Sequence, residues 1–276
     1  MYIRSELTRI YPETEVYSII NLILEHVTGF ARTEIFLNNE TKLSKSSVKK
    51  ITEIVSGLER FTPIQYLLGK TEFFGLRFMV CPDVLIPRQE TEELTAWIIQ
   101  EYSGKSPAVL DIGTGSGCIA VSIAKNLPGA VVTGTDISPE AIAIAKQNAA
   151  INNVEVSFCV QDILSHDTRP VFPMYDVIVS NPPYIRESEK KQMHRNVLDH
   201  EPGIALFVPD DDPLVFYRAI ARYASLTLKK DGKIYAEINE ALERETAEVF
   251  HLEGLGRIEI KKDINGKERM ARCSLL

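Results

Sequence analysis

Residues Ala108–Gly117 read AVLDIGTGSG. The first five look like a buried strand, and the glycines at 113, 115 and 117 lead from it into a helix. Strand, glycine turn and helix N-terminus together make a nucleotide-type binding unit. A dinucleotide fingerprint GxGxxG counted from Gly113 requires glycine at position 118, which is Cys118. The run is instead DxGxGxG, with Asp111 ahead of the glycines. A carboxylate there is unfavourable beside a pyrophosphate and suits a ligand bearing an ammonium group.

Working outward, Val131–Asp136 is expected as a second strand, ending in an acid where such folds grip ribose hydroxyls. Ser138 and Pro139 supply an N-cap and a first-turn proline for a helix running to Ile151, with Asn152 or Asn153 at its end. A third strand, Val154–Val160, is closed by Gln161 and Asp162. The fourth, Asp176–Ser180, runs into Asn181-Pro182-Pro183-Tyr184. A helix over Leu214–Leu228 follows, then a turn at Lys230-Asp231-Gly232, a strand over Lys233–Ile238 and a helix over Glu240–Leu252. Ile258–Lys262 and Met270–Ser274 flank Asn265-Gly266, a hairpin signal. This alternation implies an α/β fold, a doubly wound, mostly parallel seven-stranded sheet closed by an antiparallel hairpin. Ligands of such sheets sit beyond the carboxyl ends of the strands. Asp111, Asp136, Asp162 and Asn181 end strands one to four and converge on that rim.

The fourth strand stops in a stiff hook. Asn181 precedes a proline and is pushed into the extended region. Pro182 and Pro183 have fixed φ and no N–H. The hook presents the Asn181 side-chain oxygen, the Pro182 carbonyl and the ring of Tyr184. Two acceptors and an aromatic face match a planar NH2 group conjugated to a π-system. Holding both hydrogens favours pyramidalisation and aims the nitrogen lone pair at an electrophile.

Upstream, residues 13–68 carry helical periodicity, with Val16, Ile19, Ile20, Ile23, Leu24 and Val27 forming an amphipathic stripe ended by Gly29. Shorter helical segments are expected at Thr33–Leu37, Ser46–Leu58 and Pro63–Leu68, with Ser44 capping the second. Residues 1–70 therefore read as a small all-α domain, of the kind that grips a macromolecular substrate. Residues 71–86 change period and suggest a linking β-hairpin, with strands up to Val80 and over Val84–Ile86. The third part, 87–276, begins with Pro87-Arg88-Gln89-Glu90-Thr91-Glu92, opening a helix to about Tyr102. The helix dipole accounts for Glu90, Glu92 and Glu93 in its first turn.

The chain has 276 residues, 45% hydrophobic and 25% charged, with no bilayer-length apolar run and no signal-peptide pattern at its start. Its four cysteines include no CxxC pair, and its histidines no HExxH, so a cytoplasmic protein with reduced thiols and no metal is expected. The net charge of −7 divides into +1 for residues 1–70 and −8 for the remainder. An acidic main domain is a poor match for a phosphate backbone.

The glycine turn, the strand-ending acid and NPPY together resemble class I S-adenosylmethionine-dependent methyltransferases acting on planar nitrogens, with a Rossmann-like sheet. Further segments narrow the resemblance. Pro63-Ile64-Gln65-Tyr66-Leu67-Leu68-Gly69, Glu72-Phe73-Phe74-Gly75, Leu85-Ile86-Pro87-Arg88-Gln89-Glu90-Thr91-Glu92 and Glu201-Pro202 with Ala205-Leu206 are similar to the peptide chain release factor glutamine methyltransferases over the whole chain. The resemblance implies S-adenosylmethionine as cofactor and S-adenosylhomocysteine as product. It implies Asp111, Gly113, Thr114, Gly115, Ser116 and Gly117 around the methionine end, Asp136 with Ile137 at the ribose, and Asp162 with Ile163 at the adenine. Many members have an aromatic where this chain has Ile163. Asn181, Pro182, Pro183 and Tyr184 would bind the substrate glutamine, with Asn181 also against the cofactor. The implied partner is a class I release factor, met by a monomer through the glutamine of its GGQ loop, without nucleic acid or membrane.

For that chemistry no general base is required. Asn181 and Pro182 would accept the amide hydrogens, Tyr184 would fix the amide plane, and positioning would do the rest. The competing readings are a ribosomal-protein glutamine methyltransferase, an adenine-N6 DNA or RNA methyltransferase flipping its base into the same hook, and a non-catalytic S-adenosylmethionine-binding protein. A nucleic-acid enzyme should carry a basic groove. Here Arg186, Lys190, Lys191 and Arg195 are interspersed with Glu187 and Glu189.

Overall fold

A computed structural model describes residues 2–37, 43–165 and 174–276. Its helices are α1 (Tyr2–Leu7), α2 (Glu13–Thr28), α3 (Arg32–Leu37), α4 (Lys45–Glu59), α5 (Ile64–Leu68), α6 (Gln89–Glu101), α7 (Cys118–Asn126), α8 (Pro139–Ile151), α9 (Arg195–Leu198), α10 (Val215–Thr227) and α11 (Glu243–Leu252). Its strands are β1 (Lys70–Phe73), β2 (Leu76–Met79), β3 (Ala108–Ile112), β4 (Val131–Asp136), β5 (Ser157–Val160), β6 (Tyr175–Ser180), β7 (Ile185–Arg186), β8 (Phe207–Val208), β9 (Leu228–Glu237), β10 (Leu255–Lys262) and β11 (Glu268–Leu275). The chain divides into two compact units, one of residues 1–70 with 194–200, the other of 71–193 with 201–276.

The smaller unit is helical. The stripe on α2 buries Val16, Ile19 and Ile23 against Ile51, Ile54, Val55 and Leu58 of α4. Gly29 ends α2 in the left-handed region, donating its N–H to Glu25 O. Ser44 caps α4 as expected, its Oγ accepting from Ser47 N at 3.0 Å. Helix α1 was not anticipated. Only Leu7 of it is buried, and one apolar anchor in six residues leaves no periodicity to read. The segment 194–200 joins this unit through His200 Nε2 to Arg60 O at 2.9 Å and Arg195 stacked 4.4 Å from the Phe61 ring centroid.

The larger unit holds a seven-stranded sheet in the order β10-β11-β9-β6-β3-β4-β5. The pairs β3–β4, β4–β5, β3–β6 and β6–β9 are parallel, and β11 runs antiparallel to both neighbours. Strand alternation sends Val109, Val177 and Val179 to the face covered by Leu94, Ile98 and Ile119, and Leu110 and Ile178 to the face covered by Tyr217, Ile220 and Phe250. The chain leaves β3 toward β4 and β5 on one side and reaches β6 and β9 on the other. The crevice between the carboxyl ends of β3 and β6 is therefore the topological switch point.

Three boundaries depart from the sequence reading. The linking hairpin pairs β1 with β2 across Phe74 and Gly75, both at positive φ (52° and 69°), as a two-residue turn requires. Residues 84–86 form no strand, and Ile86 N donates to Glu201 Oε2 at 3.2 Å. The turn foreseen at 230–232 lies inside β9, where pairing with β6 skips from Tyr175↔Leu228 to Val177↔Lys233. The third strand starts at Ser157 rather than Val154.

Candidate active site

A cavity of about 230 Å³ opens at the switch point. Gly113 and Gly115 line it from the loop after β3, Asp136 and Ile137 from the end of β4, Asp162 and Ile163 from beyond β5, and Asn181, Pro182 and Pro183 from the hook after β6. All four strand ends expected at the rim thus meet there, with one substitution. The β3 end contributes its glycines, while Asp111 is wholly buried beneath the loop.

Asp111 holds the turn rather than facing the cavity. Its Oδ2 accepts from Thr114 Oγ1 at 2.6 Å and from Ala120 N at 3.3 Å, so the carboxylate ties the loop to the first turn of α7. Its Oδ1 has no hydrogen-bond partner among the described residues. Burial pushes this carboxyl up to about 7, against those two hydrogen bonds, and the nearby Asp136 charge adds to the rise. Thr114 and Ser116 are buried too, Thr114 N donating to Thr135 O and Ser116 O accepting from Asn148 Nδ2. Gly117 serves packing: at φ 79°, a Cβ there would stand 3.0 Å from the Ala145 Cβ of α8. Cys118 next to it is a protonated packing group, its thiol raised to about 12 by burial.

Asp136 does face the cavity, and it braces the loop as well. Oδ2 accepts from Gly115 N at 2.8 Å and Oδ1 from Ser138 N at 3.0 Å. An ionised carboxylate offers about four lone-pair sites, so each oxygen keeps capacity for a hydroxyl donor. Burial raises this carboxyl above its ordinary value, while the amides of Ser138 and Gly115 pull it back. Ile137, Ile163 and Leu164 give the same end of the cavity apolar walls.

The hook is held from several directions. Ser180 Oγ donates to Ile112 O at 2.7 Å, fastening β6 to β3. Asn181 Nδ2 donates to Thr91 Oγ1 at 3.0 Å, which leaves Oδ1 as the amide atom without a hydrogen bond among the described residues. Asn239 Nδ2 donates to Tyr184 O at 3.0 Å, and Ile185 N to Leu206 O where β7 pairs with β8. The Tyr184 ring corrects the sequence reading, for it does not line the cavity. It packs against the core and its hydroxyl donates to Glu237 Oε1 at 2.7 Å, as a buried phenol needs a polar partner. Burial and then the Glu237 charge raise its pKa well above the ordinary tyrosine value.

Two family models match the chain, the PrmC N-terminal domain over residues 1–69 and the Methyltransferase small domain over residues 90–201. The release factor glutamine methyltransferase of Flavobacterium psychrophilum is 44% identical over 272 residues, 97% of this chain and 95% of that one. That of Bacteroides thetaiotaomicron is also 44% identical, over 98% of this chain and 96% of its own. That of Streptococcus pneumoniae is 38% identical over 96% and 93%. The chain belongs to the release factor glutamine methyltransferase family. A crystal structure of a methyltransferase from Pyrococcus furiosus, 20% identical, superimposes with a TM-score of 0.53 over 73% of this chain and 89% of that one, and shows the class I methyltransferase fold.

Several residues at this site were given no role there by the sequence, although some lie in segments that resemble the family. Val84 and Leu85 line the cavity after the hairpin, Ile204 and Ala205 line it after Glu201, and Phe216 and Ile220 reach it from α10. Glu201 couples the first two groups, accepting from Ile86 N and pairing with Arg88 Nη2 at 2.5 Å. Thr91 and Glu237 stand behind Asn181 and Tyr184. Among the described residues no cluster of three or more His, Cys, Asp or Glu could hold a metal ion, and no helix is long and apolar enough to cross a membrane.

Proposed function

We propose that this chain transfers a methyl group from S-adenosylmethionine to the side-chain amide nitrogen (N5) of the glutamine in the GGQ motif of class I release factors. One observation carries the reading: a cavity walled at one end by the Asp136 carboxylate and apolar residues is walled at the other by Asn181 and the Pro182-Pro183 hook. Relatives at 44% identity over nearly the full chain bear the matching name.

The residues present suit the cofactor. Asp136 has lone pairs left for two ribose hydroxyls, and Ile137, Ile163 and Leu164 give adenine an apolar slot with isoleucine where an aromatic is common. Gly113 and Gly115 line the cavity between Asp136 and the hook. When bound, S-adenosylmethionine supplies an electrophilic methyl group on a sulfonium.

This chain's own part is placement. A carboxamide nitrogen is a weak nucleophile because its lone pair is delocalised into the carbonyl. Asn181 Oδ1 and the Pro182 carbonyl accept hydrogen bonds from its two N–H groups and hold it in line with the methyl donor. Positive charge grows on the nitrogen during transfer, so the same acceptors bind the transition state more tightly than the ground state. No side chain here needs to act as a base, because the surplus proton leaves the product afterwards.

A single glutamine side chain offers few contacts, so selectivity must come from surface remote from the hook. Residues 1–70 are assigned that role, with 71–86 as linker and 87–276 as the methyltransferase domain. A chain starting at Thr71 is expected to bind S-adenosylmethionine yet lose most activity on intact release factor, with a much smaller difference on a short GGQ peptide. The free thiols of all four cysteines fit a cytoplasmic enzyme, and the acidic larger part fits a protein substrate better than a nucleic acid. Incubation with labelled cofactor and release factor, ribosomal protein or DNA tests the proposal. Label on the release factor alone is expected, and label on either of the others instead would replace it.

A further inference from the structure

Behind the hook lies a chain of hydrogen bonds whose polarity is set by one buried carboxylate. Glu237, the last residue of β9, is 1% exposed. Its Oε2 accepts from Thr91 Oγ1 and its Oε1 from Tyr184 OH, both at 2.7 Å. Thr91, in the first turn of α6, is itself 2% exposed and accepts from Asn181 Nδ2 at 3.0 Å. A hydroxyl has one hydrogen. Thr91 spends it on Glu237, so only its lone pairs remain for Asn181, and Asn181 must turn its NH2 inward. The amide carbonyl then faces the cavity. With the opposite amide orientation the hook would present a donor to an NH2 group, two donors facing one another.

We infer that Glu237 is a positioning residue for methyl transfer, acting through Thr91 to fix the Asn181 amide with its carbonyl oxygen toward the substrate nitrogen, and directly on Tyr184 to hold the far end of the hook. The inference rests on the proposed glutamine chemistry, since it concerns which atom of Asn181 meets the amide. Both oxygens of the carboxylate are committed and the group is sealed from solvent, so the orientation is set before substrate arrives. Burial raises the carboxyl above its ordinary value, while the hydrogen bonds from Thr91 and Tyr184 and the charge of Arg269 draw it down. In its ionised form it is acceptor-only, which is the state that takes both hydroxyl hydrogens. Glutamine in its place keeps the shape but offers one acceptor and one donor, so only one of the two hydroxyls is still told which way to point.

The test uses the full chain with release factor in single turnover, with calorimetry for cofactor affinity, thermal unfolding for integrity, and the side-chain NH2 resonances of Asn181 in labelled protein. Thr91→Val, which keeps the shape and removes the hydroxyl, should lower turnover roughly ten- to a hundredfold, as a displaced reacting group does. Cofactor affinity should not change, and the Asn181 NH2 should exchange faster with solvent. Thr91→Ser should recover most of the loss, and Glu237→Gln should fall between Thr91→Val and the wild type. Wild-type turnover in folded Thr91→Val and Glu237→Gln would overturn the inference, and so would a Thr91→Ser variant as impaired as Thr91→Val, which would make the role one of packing. If Glu237→Gln does not fold, the Val and Ser pair decides. Failure of the wild type itself to methylate a glutamine would instead overturn the functional proposal, and the Asn181 exchange measurement would still report on the hydrogen-bond chain.

Discussion

On the β4 side of the rim, the cavity is lined by the glycine loop and one carboxylate, all drawn from the stretch between Asp111 and Asp136. On the β6 side it is lined by Asn181 and the two prolines, with the hook steadied by Thr91, Glu237 and Asn239 from three other elements. The first arrangement suits holding a ligand, because its donors and acceptors are tied to the backbone. The second suits acting on one, because its orientation is enforced by a buried network that no ligand has to form. Binding and chemistry should therefore be separable by mutation.

Asn181→Ala presses that separation hardest. Removing one preorganised polar group at the reacting nitrogen should lower turnover by roughly a hundredfold or more, and cofactor affinity by calorimetry should stay near wild type. A parallel loss of affinity would merge the two sides into one site.

Asp136→Ala is the converse. Hydrogen bonds to a charged acceptor contribute roughly 1.5–3 kcal/mol, so S-adenosylmethionine affinity should weaken about tenfold or more, and Gly115 N loses its partner as well. Asp136→Asn, which keeps one acceptor oxygen, should fall in between. Unchanged affinity in the folded alanine variant would remove Asp136 from the ribose site.

Asp111 sharpens the comparison through pH. Its carboxyl stands at about 7 in the fold against an ordinary 3.8. Between these values the native chain holds a proton that the unfolded chain has released, so stability falls as pH rises through that window and levels off above it. Asp111→Asn has no such proton. The stability of the wild type relative to this variant should decline from about pH 4 to about pH 7, measured by denaturant unfolding without ligand. A constant difference would mean that Asp111 titrates normally.

The smallest effect lies away from the rim. Ser44→Ala deletes the cap of α4 and should cost about 1 kcal/mol of helix stability, leaving cofactor affinity untouched. A change in that affinity would show that the smaller unit influences the cofactor site.

How much of this was legible in sequence follows the same division. The glycine loop, Asp136 and the β3, β4 and α8 boundaries were readable because each depends on neighbours within a few residues, through alternation, turn geometry and capping. Asn181 and the two prolines were readable for the same reason. The roles of Thr91 and Glu237 were not, since the hydrogen bonds that give them meaning join residues far apart in sequence, even though Thr91 lies in a segment that resembles the family. The place foreseen for the Tyr184 ring failed on the same ground: NPPY shows an aromatic after the hook, but the partner of its hydroxyl is on β9. Asp111 was read as facing the ligand because nothing local distinguishes a carboxylate that binds a loop from one that binds what the loop holds.

The most direct measurement is tandem mass spectrometry of release factor after a single turnover with S-adenosylmethionine, alongside a substrate whose GGQ glutamine is replaced by glutamate. One added methyl on the side-chain nitrogen of that glutamine, and none anywhere on the glutamate protein, is the predicted result. A methyl on another residue, or equal methylation of the glutamate protein, would contradict the claim that the hook after β6 acts on a carboxamide nitrogen.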